Sequence, residues 1–200
     1  LGKISAQIGQ DIAANKRPAG TVQNPVTLYP STGRKRPAKK PGKPAKPINW
    51  NKAKLGDTFA SASLPDITGK ALTIKATVEI EPGKKANGII LAHGGSAVGY
   101  ALYAKDGNLF FAVRLGQNAV QKIAFGSPGE KMKITASLTK EKLSIQVGEK
   151  TVEAKSHGLL NRHPQEDICI GHDDKNPVDT EAPTARINGK LSGLRVAAGN

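Results

Sequence analysis

The side chains best equipped for chemistry are few and widely spaced. Glu79 and Glu81 sit two residues apart, which in an extended segment places both on one face. Paired carboxylates cleave glycosidic bonds when one is protonated and the other ionised. A Glu-x-Asp-x-x-Glu pattern does not occur, however, and a charged outer strand face accounts for both residues. His93-Gly94-Gly95 has the make-up of an oxyanion loop, but no Gly-x-Ser-x-Gly elbow accompanies it, since the fifth position from Gly94 is Val98. A glycine-permitted strand end is the plainer account. His93, His157, His163 and His172 do not fall at His-Glu-x-x-His or other tight ligand spacing. Gly69-Lys70 and Gly189-Lys190 lack the earlier glycine of a phosphate-cradling loop. Cys169 stands alone between Ile168 and Ile170, which predicts a small buried or half-buried thiol.

Two stretches point to ligands rather than to catalysis. Asp173, Asp174, Asn176 and Asp179 make an oxygen-rich loop of the kind calcium takes, with Asx-turn chemistry as the alternative. Calcium is thus the one cofactor the sequence raises. Arg34, Lys35, Arg36, Lys39, Lys40 and Lys43 form a basic run broken by prolines. Such a run is a stiff soluble linker or a nonspecific polyanion contact. Nothing in it reads a nucleic-acid base, so nucleic acid is the weaker partner.

These residues belong to two regimes. The 200-residue chain carries a formal charge of +14, yet residues 1–47 hold ten Lys or Arg against one acid, Asp11, and seven of the thirteen prolines. Proline at this density blocks helix and sheet, and like charges stretch the backbone. Before it, Leu1, Ile4, Ile8 and Ile12 predict a short amphipathic helix over 1–17. We expect that helix to finish a preceding domain of a longer protein, with 18–54 as a basic proline-rich linker and 55–198 as a folded domain. No apolar run approaches the ~20 residues of a membrane-spanning helix.

From about residue 57 the hydrophobic period becomes two. Leu72, Ile74, Ala76, Val78 and Ile80 alternate with polar residues, as do Met132, Ile134, Ala136 and Leu138, then Leu143, Ile145 and Val147. Asp106-Gly107 joins two such runs and is a hairpin signal, because both turn positions require positive φ. Many short antiparallel strands predict an all-β, two-sheet antiparallel sandwich or jelly roll. If Leu109, Phe111 and Val113 face the core, Phe110 and Arg114 face outward, with Tyr103 on the partner strand. Tyr103, Phe110 and Arg114 would then form a platform for carbohydrate, with Arg114 suited to a sulfate or carboxylate. The alternative is that both faces of the hairpin are buried. Trp50 is expected to pin the linker to the sandwich.

Three segments in order carry a resemblance. Gly94 to Leu109 reads as a glycine-rich strand, Gly-aromatic-x-Leu, then Asp-Gly-x-Leu. Ile170-Gly171-His172-Asp173-Asp174 follows, and Asn188 to Val196 closes the series. Together they resemble concanavalin-A-like, laminin-G-like jelly rolls over about residues 57–197, with Met132 where such modules usually carry Trp. The resemblance implies a noncatalytic accessory module of the kind appended to secreted bacterial sulfatases, in an extracytoplasmic setting. It implies attachment to carbohydrate or matrix, or packing against a parent catalytic domain, and it favours calcium at the rim. The sulfatase nucleophile motif itself is missing, since Cys169 is followed by Ile-Gly-His.

Overall fold

The computed structural model describes residues 45–116, 119–174 and 176–199. The expected helix over 1–17 and the basic run Arg34, Lys35, Arg36, Lys39, Lys40 and Lys43 lie outside the described residues, as does most of 18–54.

Period-two alternation becomes strand wherever the sequence shows it. Strand β1 is Thr58–Phe59, β2 Ala71–Ile80, β3 Gly88–Gly94, β4 Gly99–Lys105, β5 Asn108–Gly116 and β6 Ala119–Phe125. Strand β7 is Lys131–Leu138, β8 Lys142–Val147, β9 Lys150–Lys155, β10 Ile168–Ile170 and β11 Gly189–Gly199. In β2 every second residue from Leu72 is buried. The β4–β5 turn is made by Asp106 (φ 53°) and Gly107 (φ 85°), and Lys105 pairs with Asn108.

The strands form two antiparallel sheets, a six-stranded one in the order β1-β10-β3-β4-β5-β6 and a five-stranded one in the order β11-β2-β7-β8-β9. This is the expected two-sheet sandwich. Strand β10 enters between β1 and β3, so residues far apart in sequence become neighbours. The main core lies between the sheets. Leu109, Phe111 and Val113 enter it from one side; Ile74, Ile134 and Ile145 enter from the other. Met132 is fully buried in it. Ile48, Trp50, Ala53 and Leu55 pack against the same core, so Trp50 does pin the chain that precedes the first strand.

Strands β6 and β9 were not evident from alternation. Every residue of β9 but one is exposed, which removes the hydrophobic signal from that edge strand. Its two lysines suit an unpaired sheet edge. At the rim near β6 and β9, Gln121 donates to the Lys155 carbonyl at 2.5 Å and accepts from His157 N–H at 2.9 Å.

Strand β3 has no exposed face at all, and β4 is buried except at Lys105. A second apolar cluster explains this. Ile89, Ala92, Ala101, Tyr103 and Ala112 line the outer side of the six-stranded sheet, where Val178 covers them.

Candidate functional site

Register puts Tyr103 directly opposite Phe110 on β4 and β5, so their side chains share one face. Their rings stack with centroids 5.2 Å apart and planes 16° apart. Arg114 follows on the same side of β5, two alternations further on. The three side chains therefore share the outer face, as the alternation of β5 requires.

That face is roofed. Residues 176–186 cross it as a strap. Val178 is fully buried, Arg114 Nε donates to its carbonyl at 2.6 Å, and the Tyr103 hydroxyl donates to Asp179 Oδ2 at 2.7 Å. Lys122 Nζ reaches Asp179 at 3.4 Å and Glu181 at 2.6 Å, and Lys105 Nζ donates to the Glu181 carbonyl at 3.0 Å. At the C-terminal end of the strap, Ile89 N–H donates to the Ala185 carbonyl and the Ile187 N–H to that of Ile89. Tyr103 is left 1% exposed and Arg114 7%. An exposed platform of Tyr103, Phe110 and Arg114 is thus corrected to a closed interface. The physical reason is that Ile89, Ala92, Ala101 and Ala112 make this side of the sheet apolar, and it is covered rather than left in water.

Electrostatics in the clasp follow from burial. Desolvation, reinforced by Asp179, pushes the Tyr103 phenol far above its ordinary value. Burial acts to raise the Asp179 carboxyl too. The Glu181 N–H, the Tyr103 hydroxyl and Lys122 outweigh it and hold that carboxyl below the usual range.

The expected calcium quartet is not brought together. Asp179 is turned into the clasp. Asp173 accepts from Asp174 N–H at 2.8 Å and from Val178 N–H at 3.2 Å, which is turn chemistry. Burial pushes the Asp173 carboxyl up to about 6 against those two donors. Asp174 and Asn176 are exposed. Among the described residues no group of three or more His, Cys, Asp or Glu is arranged to hold a metal ion.

A second polar cluster escaped the sequence reading. Ser61, in a short 3-10 turn, lies 3.0 Å from His93 Nε2, and His93 Nδ1 lies 3.1 Å from the Tyr100 hydroxyl. Ser61 Oγ donates to the Pro164 carbonyl at 2.5 Å. The serine has one proton, so it accepts from His93 Nε2–H, and His93 Nδ1 accepts from Tyr100. Burial, with a smaller contribution from His163, lowers the His93 imidazole to about 3, so it is neutral. A serine nucleophile needs an unprotonated nitrogen facing its hydroxyl. Here the nitrogen is protonated and the serine proton is held by a carbonyl. No motif could have found Ser61, because it stands 32 residues from its partner.

The remaining chemistry-bearing residues are spent in similar ways. Glu79 is paired to Lys131 at 2.7 Å on the outer face of β2. Burial raises the Cys169 thiol to about 11, with nearby carboxylates adding to it, so it is not a thiolate at neutral pH. Among the described residues, no buried side-chain nitrogen or oxygen lacks a hydrogen-bond partner.

Domains LG4-5 of the mouse laminin alpha1 chain superpose on this chain with a TM-score of 0.57 at 15% identity, covering 74% of this chain and 41% of that one. The fold is a laminin-G-like jelly roll. The LG1-3 region of the laminin alpha2 chain gives a TM-score of 0.53 at 13% identity, over 74% of this chain and 31% of that one. The CBM40 of the Ruminococcus gnavus IT-sialidase gives 0.52 at 8% identity, over 74% of this chain and 90% of that one. This jelly roll therefore spans less than half of either laminin structure but nearly all of the sialidase module. No protein-family model matches the sequence, and no curated protein matches it. Among the described residues no helix is long and apolar enough to cross a membrane.

Proposed function

We propose that this jelly roll is a noncatalytic accessory module that attaches a secreted carbohydrate-active enzyme to an acidic or sulfated carbohydrate. The observation that carries the reading is the satisfaction of its buried polar groups. Ser61, His93, Tyr103 and Asp179 are committed to one another and to backbone carbonyls. What the domain offers a partner is therefore surface. Formal charge supports an acidic ligand, because residues 48–200 carry twenty Lys or Arg against fifteen acids and 1–47 add a further +9. Likeness in fold to the sialidase module and to laminin G domains supports a binding role in an extracytoplasmic setting. The sulfatase parent rests on the sequence resemblance alone.

A glycan array probed with the full 200-residue chain tests the reading. Retention on carboxylated or sulfated glycans, weakening with salt, is the expected result. Silence across neutral and acidic glycans would overturn it and leave a sandwich that serves only to pack against a parent domain.

A further inference from the structure

The two sheets differ in what they leave open. The outer side of the six-stranded sheet is closed by the strap. The outer side of the five-stranded sheet faces solvent, and its register can be followed row by row. Lys190, Glu79 and Lys131 lie across β11, β2 and β7; Ser192, Thr77 and Lys133 make the next row. Then come Arg195, Lys75, Thr135, Gln146 and Thr151, continuing through β8 and β9. Lys142 pairs with Lys155 at the far edge.

This face thus carries Lys75, Lys131, Lys133, Lys142, Lys155, Lys190 and Arg195 against only Glu79 and Glu153. Both acids are already occupied, Glu79 by Lys131 at 2.7 Å and Glu153 by Lys142 at 2.8 Å. Lys75, Lys133 and Lys155 have no carboxylate within ion-pair distance among the described residues.

Two of the rows set like charges directly opposite each other. Lys75 is the register partner of Arg195, and Lys142 of Lys155. Directly opposed like charges destabilise a sheet. Glu153 offsets Lys142, and Arg195 Nη2 donates to Asn51 Oδ1 at 3.2 Å, so Lys75, Lys133 and Lys155 are the cations of this face left for an anion from outside.

We infer that the outer face of the five-stranded sheet is a docking surface for a sulfated polysaccharide chain. The inference rests on the carbohydrate-binding reading above and gives it a surface. Three observations choose this occupant. Lys75 and Arg195, like Lys142 and Lys155, stand on adjacent strands about 4.8 Å apart, and Lys131 and Lys133 follow each other about 6.7 Å apart along β7, so an extended polyanion can meet several cations along its length. Between them lie short hydroxyls, at Thr77, Ser192, Thr135 and Thr151, which can bond sugar hydroxyls and sulfate oxygens. Lysines outnumber arginines six to one, so the face presents point charges that respond to the charge density of the ligand, which a sulfated chain supplies. A nucleic acid fits less well. None of the five strands carries an aromatic residue, so the face has no ring for base stacking.

The test uses the full chain with Arg34, Lys35, Arg36, Lys39, Lys40 and Lys43 changed to Gln, so that the N-terminal run does not mask the sheet. In that background Lys75→Gln, Lys133→Gln and Arg195→Gln are combined. A control removes the same charge from turns and loops, at Lys84→Gln, Lys85→Gln and Arg162→Gln. Binding to size-defined dextran sulfate is measured by calorimetry at several salt concentrations, with polygalacturonate and oligo(dT) as parallel ligands. The sheet triple should weaken dextran sulfate binding at least about tenfold and lower the salt slope by about three, while the control shifts little. Equal losses in the two triples would overturn the surface and leave the carbohydrate reading standing. Equal or tighter binding of polygalacturonate or oligo(dT) would overturn the sulfated chain as occupant. No binding of any carbohydrate by the unmodified chain would remove both. Far-ultraviolet circular dichroism and melting curves for each variant separate lost binding from lost fold.

Discussion

His93 provides the sharpest test of the claim that the Ser61 cluster is structural. Folding lowers its imidazole from 6.5 to about 3, chiefly by burial. Unfolded chains therefore take up a proton as pH drops below 6.5, while the folded chain does not until about 3. This contribution to stability is complete above 6.5 and is lost progressively toward 3. Linkage over that range gives a loss of about 2 kcal/mol between pH 7 and pH 5. Asp173 runs the opposite way. Its folded carboxyl, raised to about 6 from 3.8, binds a proton before the unfolded one does, so mild acid favours the fold through that residue. A single pH-stability curve would mix the two. The informative quantity is the difference between the parent protein and His93→Gln, which leaves Asp173 in both. Urea unfolding at pH 7 and pH 5 should show the parent losing about 2 kcal/mol more than the variant. Nuclear magnetic resonance of the histidine ring protons supplies an independent reading, with the His93 signals unchanged from pH 7 to pH 4.5. Parallel curves, or a His93 ring titrating near 6.5, would refute the reasoning and reopen the pair to base chemistry.

Other outcomes follow from the strap and the open sheet. Asp179→Ala leaves the buried Tyr103 hydroxyl without its acceptor and should cost about 1–3 kcal/mol in urea unfolding, whereas Glu181→Ala, at an exposed carboxylate, should stay within about 0.5 kcal/mol. The depressed Asp179 carboxyl stabilises the fold above the ordinary carboxylate range, and that contribution should fade as pH falls through it, less steeply in Asp179→Asn. Lys75→Gln removes one of two opposed cations and should raise stability by a few tenths of a kcal/mol, up to about 1, in thermal melts at low salt. Cys169, raised to about 11, should resist a disulfide reagent at pH 8 in the folded chain and react promptly in denaturant; fast native labelling would contradict its placement. Gly88→Ala should be strongly destabilising, because its φ is +124° and a Cβ there would collide with the Arg186 carbonyl beside the strap.

Much of the sandwich was legible because each half-buried strand writes its own signature. Alternation at Leu72 to Ile80 and Met132 to Leu138 needs only the pleat, and Asp106-Gly107 needs only the turn it makes. The same logic correctly placed Phe111 and Val113 inward, with Tyr103, Phe110 and Arg114 on the other side. It failed for β9, whose exposure erases the pattern. The oxygen-rich loop was legible only as composition. Asp179 meets Tyr103 across 76 residues, and no local spacing announces a partner at that distance.

By itself the sequence determined the periodicity of the strands, the best-marked turns and the sign of the charge, since these depend on each residue and its near neighbours. Only the tertiary structure decided which sheet face stays in water. That choice depends on where residues 176–186 return, and the return path is set by how two whole sheets bury their apolar sides. It closed the aromatic face that alternation had turned outward and left the lysines of the five-stranded sheet exposed.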